Sequence, residues 1–93
     1  MKKNKVKVES YFIEELKKTF SRFCQNLVKE KNVEFGKLQN QKDLIISLII
    51  QEYLKGKISK EYCDKSIHYI NKCYIITFKK LNCITHQRYF SSK

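Results

Sequence analysis

The chain predicts a mainly α protein with one N-terminal strand, two helices and an additional C-terminal helix, completed as a homodimer. Three observations lead there. Val6 and Val8 alternate with Lys5, Lys7 and Glu9, the period of an extended strand, yet no second strand is evident to pair with it. The segment Leu44 to Leu54 is apolar almost all round, more than a monomer of 93 residues could readily cover. Proline is absent and there are only two glycines, which favours long helices joined by few tight turns.

Residues 2–9 form the strand, whose unpaired backbone groups need a partner. A helix follows from Ser10, a residue type suited to the N-cap, with Glu14 and Glu15 near the positive end of the helix dipole. Ile13, Leu16, Phe20, Phe23 and Leu27 recur at intervals of three and four and make one buried stripe. This helix is expected to end near Lys31 or Asn32. The following stretch, with Gly36, Lys37 and Gln39, reads as a connection, and the second helix as starting at Asn40 to Lys42 with Asn40 as cap. Gly56 supplies its stop.

Ser59 caps a third helix, with Ile58 and Cys63 as a hydrophobic staple. Cys63, Ile67, Ile70, Tyr74, Phe78 and Leu81 continue a helical stripe. Cys73 to Phe78 also has strong strand propensity; the periodicity favours helix to about Leu81. Residues 82–93 show no period. The expected organisation is a dimerisation region over 1–57 and a helical extension over 58–93, packed on the same domain through Phe20, Phe23 and Leu27.

Formal net charge is +11, divided as +5 over residues 1–43 and +6 over 44–93. That excess calls for a polyanionic partner such as DNA, RNA, an acidic protein or an anionic membrane face. No apolar run approaches the length of a membrane span, and the basic start is not followed by a signal-like apolar region. The expectation is a cytoplasmic protein with reduced thiols.

The order of elements resembles the ribbon-helix-helix family of DNA-binding proteins, the Arc, MetJ and CopG-like group. The resemblance rests on Lys3 to Val8, on Glu14-Glu15-Leu16, and above all on Lys42 to Leu54, and spans roughly residues 3–57. It implies a homodimer that places a two-stranded ribbon in the major groove of double-stranded DNA, as a small transcriptional, plasmid or phage regulator. Lys5 and Lys7 would then reach base edges or phosphates, with Asn4 as a nearby polar contact and Glu9 on the reading face, and Asn40, Gln41 and Lys42 would offer a helix N-terminus to a phosphate. Two departures stand out. The first helix with its connection is about a dozen residues longer than the compact pattern, and Glu9 puts an acid on the reading face. The bland readings are a solvated basic tail and an ordinary helix cap.

Cys24, Cys63, Cys73 and Cys83, with His68 and His86, raise the question of zinc. The last three cysteines are ten apart, which turns successive thiols by about 280° on a helix, and close Cys-x-x-Cys pairs are missing. Buried free thiols are the better account, and no cofactor or metal is expected. No glycine-rich phosphate loop or nucleophile arrangement is visible, so no enzyme is expected. Tyr11, Phe12, Tyr69, Tyr89 and Phe90 could stack on bases, though aromatics at helical spacing more often fill a core. The rival reading is a small basic helical protein whose partner is another, acidic protein, similar in size and charge to immunity proteins or phage-encoded inhibitors.

Overall fold

The computed structural model describes residues 10–91, with side chains through His86. The chain folds as α1 (Tyr11–Lys29), α2 (Phe35–Leu54) and α3 (Lys60–Ser91). α1 starts where Ser10, in an extended conformation, turns its hydroxyl to accept the Ile13 N–H at 3.2 Å. α3 starts in the same way, with Ser59 Oγ accepting the Tyr62 N–H at 3.0 Å and Ile58 and Cys63 both buried beside it. Each such cap is worth about 1 kcal/mol.

The first two helices stop in the same hydrogen-bonded reverse turn. After α1, the Asn32 N–H donates to the Leu27 carbonyl and the Lys31 N–H to Val28. After α2, Lys57 donates to Glu52 and Gly56 to Tyr53. Both turns need one left-handed residue. Gly56 fills that position at φ 78, whereas Lys31 holds it at φ 53 with a side chain that opposes it.

α3 is the spine. It packs along both α1 and α2, which touch each other less extensively. Glu14 of α1 meets Tyr62 early in α3, and further along Cys24 lines a cleft with Cys73 and Thr77, so these two helices run parallel. Phe35 lies on Phe78 with ring centroids 4.8 Å apart, while Lys42 sits over Tyr74, so α2 runs antiparallel to α3. The core draws on every helix: Ile13, Phe20, Cys24 and Leu27 from α1; Leu38, Ile45 and Ile49 from α2; Tyr62, Cys63, Ile70 and Leu81 from α3. Complete burial of a side chain such as Phe20 or Ile49 contributes roughly 1.5–3 kcal/mol. Ser66 is also fully buried, and its hydroxyl finds no hydrogen-bond partner among the described residues.

This architecture corrects the ribbon-helix-helix expectation. The described residues hold three helices and no strand, and the segment 2–9 assigned to the ribbon lies outside them. The apolar middle of α2 is covered in part within the chain: Leu38, Ile45 and Ile49 are buried in the three-helix core, whereas Leu44, Ile50, Tyr53 and Leu54 are exposed. The start of α2 also moves. Phe35 and Leu38 belong to its buried side, so Asn40, Gln41 and Lys42 lie in its second turn, and Glu34 occupies the cap position without a side-chain hydrogen bond. Finally, α3 does not stop near Leu81. It passes through Cys73–Phe78 as helix, places Ile84 against the core and continues to Ser91.

Candidate functional site

The charge of the molecule resolves into two populations. Seven of the eight carboxylates among the described residues sit in ion pairs between near neighbours: Lys17–Glu14, Lys18–Glu15, Lys37–Glu34, Lys42–Asp43, Lys55–Glu52, Lys60–Asp64 and Lys65–Glu61. Each joins residues at most four positions apart. Arg22, Lys29, Lys57, Lys72, Lys79 and Lys80 have no carboxylate at ion-pair distance among the described residues.

Half of that second population, Lys72, Lys79 and Lys80, lies on α3. Beyond Asp64 the sequence contains no acidic residue at all. On α3, Lys65, His68, Lys72, Lys79 and His86 are all exposed, and their spacing of three, four, seven and seven keeps them on one face, opposite buried Ile70 and Leu81. From Lys65 to His86 the face extends about 31 Å along the helix. The exposed Ile75 and Ile76 border it. The missing acids after Asp64 were visible in the sequence as a run, but their consequence appears only once the run is wound into a single helix.

The candidate DNA contacts read from the sequence divide differently. Asn4, Lys5, Lys7 and Glu9 lie outside the described residues. Asn40 and Gln41 are inside α2, where their N–H groups belong to the helix rather than to its open end. Lys42 pairs with Asp43 at 3.3 Å and sits 4.6 Å from the centre of the Tyr74 ring. It fastens α2 to α3 through a cation–π contact, and these three residues form no anion-binding helix terminus.

A second locality lies in the groove between α1 and α3. A cleft of about 320 Å³ is lined by Ser21, Cys24, Val28 and Lys29 on one side and by Cys73, Ile76, Thr77 and Lys80 on the other, with Gln25 at the edge. Burial pushes the Cys24 thiol up from its ordinary value, opposed by a hydrogen bond with Thr77 and assisted by nearby Cys73. Tyr69, one turn before Cys73, is also raised, first by burial, against a hydrogen bond with Ser21. All four cysteines are free. Among the described residues no three of His, Cys, Asp and Glu come together in a way that could hold a metal ion.

Towards the start of the same groove a polar cluster fastens α1 to α3. The Tyr62 hydroxyl donates to Glu14 Oε2 at 2.5 Å, and Lys17 Nζ donates to the same oxygen at 3.0 Å. Lys17 also lies over the rings of Tyr62 and Tyr69, at 5.0 and 5.8 Å. The hydrogen bond from Tyr62, followed by that from Lys17, holds the Glu14 carboxyl below its usual value. These groups satisfy one another, a structural role.

No helix of the described residues is long and apolar enough to cross a membrane. No protein-family model, curated protein or solved structure matches the chain.

Proposed function

We propose that the protein binds double-stranded DNA through the solvent face of α3. The observation that carries this reading is the basic face of Lys65, His68, Lys72, Lys79 and His86, on which Lys65 pairs with Glu61 but Lys72 and Lys79 have no carboxylate to neutralise them. Beyond Asp64 a polyanion meets no carboxylate on that helix, and releases counterions as the lysines replace them. A single helix fits the major groove, and α3 continues seven residues past Ile84, the last described side chain packed on the core. The helix takes the place that the sequence suggested for a β-ribbon.

Affinity for a duplex, followed by fluorescence anisotropy, should fall steeply with salt. A face whose three lysines neutralise roughly three phosphates gives a slope of log K against log salt of about −2.7. The double substitution Lys72→Ala/Lys79→Ala should lower that slope by about 2, while Lys57→Ala, in the turn before α3, should change it little. Lys5→Ala/Lys7→Ala measures the share carried by the N-terminal segment. An unchanged slope in the α3 double variant would remove this face from the interaction.

A second reading, in which the partner is an acidic protein, is favoured by a different observation. Leu44, Ile50 and Leu54 are exposed on α2, Leu54 to 74%, and large apolar side chains left in water are a common mark of protein interfaces. Leu54→Ser should then weaken the complex while leaving any duplex binding intact.

A further inference from the structure

We infer that the α1–α3 cleft is a binding site for a small amphipathic anion, with a free medium-chain carboxylate as the chemical type. The inference is independent of the DNA reading, because it uses neither Lys72 nor Lys79.

The shape of the cleft follows from the parallel course of the two helices. Ser21 and Cys73 lie at one end, and eight residues later on α1 and seven later on α3 come Lys29 and Lys80, an offset of about 10–12 Å along the axes. Between them, Cys24, Val28, Cys73 and Ile76 make a largely apolar floor and walls. Cys24 is buried, and its thiol, pushed up by burial, stays uncharged and behaves as an apolar surface. The volume falls at the small end of ligand pockets, which characteristically combine apolar walls with few polar groups.

The charged end sets the sign of the ligand. Lys29 and Lys80 approach the cleft from different helices, and neither has a carboxylate partner among the described residues. An anionic headgroup placed between them would gain two charge-assisted contacts, with exposed Gln25 at the edge available as a neutral donor. The tail would point towards Ser21 and Tyr69, away from the lysines. A cation is repelled at that entrance, and an uncharged alcohol forgoes the lysines.

The test uses the full chain and sodium decanoate below its aggregation concentration, with calorimetry for affinity and iodoacetamide labelling of the native protein for position. Decanoate should bind with one-to-one stoichiometry and slow alkylation of Cys73 but not of exposed Cys83. Lys29→Gln/Lys80→Gln should weaken binding about tenfold or more, and Val28→Phe, which fills the floor, should abolish it. Circular dichroism and melting of both variants establish that they are folded. Decanol binding as tightly as decanoate, or decanoate binding equally to the double glutamine variant, would overturn the anion assignment. Binding to phosphatidylglycerol vesicles without binding of free decanoate would overturn it too, by assigning the lysines to a lipid surface.

Discussion

Tyr62 joins the ends of two helices through one oxygen. It accepts the Ser10 N–H at 3.3 Å and donates to Glu14, so the cap of α1 and the first turn of α3 depend on the same hydroxyl. Because Glu14 titrates lower in the folded protein than its ordinary value of 4.5, its charged form is favoured by folding. That contribution is complete above the unfolded carboxyl's titration and is lost as pH falls through the folded value. Tyr62→Phe removes the largest cause. A hydrogen bond to a charged group is worth about 1.5–3 kcal/mol, and the partial exposure of Glu14 reduces this to about 1 kcal/mol at pH 7. Thermal melting should therefore separate the wild type from Tyr62→Phe at pH 7, with the gap narrowing below about pH 4 as Glu14 becomes protonated. A gap that does not change with pH would assign the loss to packing of the ring instead.

The elements show where sequence patterns hold and where they fail. Ser10 and Ser59 were legible as caps, because each is followed at once by a strong apolar stripe, and the stripe of α1 was legible whole. The start of α2 was not. Gly36 and the polar residues Lys37, Gln39, Asn40 and Gln41 imitate a connection, but the first four occupy the outer side, and half-buried Gln41 the flank, of a helix whose inner side holds Phe35 and Leu38. The end of α3 was obscured in the opposite way: Ile84 is the sole aliphatic residue after Leu81, although no glycine or proline stops the helix. The cleft was not legible at all, since nothing in the sequence links Cys24 to Cys73, 49 positions later. The placement of α2 has a direct test. Asn40→Ala should raise stability by about 0.5 kcal/mol, because Ala outranks Asn inside a helix, whereas loss of a true cap would cost about 1 kcal/mol. Leu38→Ala, in contrast, empties a fully buried site and should cost about 2–5 kcal/mol. Urea denaturation of both variants reads the two effects.

At the scale of the molecule, one side of apolar α2, with Leu38, Ile45 and Ile49, is covered within one chain by packing on α3 and α1, while Leu44, Ile50, Tyr53 and Leu54 stay exposed. Sequence alone could not distinguish a second copy from a third helix as the source of that cover. The charge pattern carries a consequence of its own. Since the seven ion pairs among the described residues all stay within four positions of sequence, none of them is broken when one helix separates from another. Beside the short-range contacts of Glu14 and Lys17 with Tyr62 and of Lys42 with Tyr74, what acts across the bundle at long range is the mutual repulsion of an excess of +11, which dissolved ions weaken over distances beyond about 10 Å at 0.1 M. Added potassium chloride should thus raise the melting temperature of the free protein by a few degrees, while the same addition strips it from DNA. Calorimetric scans across 20–300 mM salt would register the first response and anisotropy the second. A melting temperature that falls instead would reveal an attraction spanning the helices. The protein would then be at its most robust under the ionic conditions in which it holds a polyanion least, and binding itself would do for the fold what salt otherwise does.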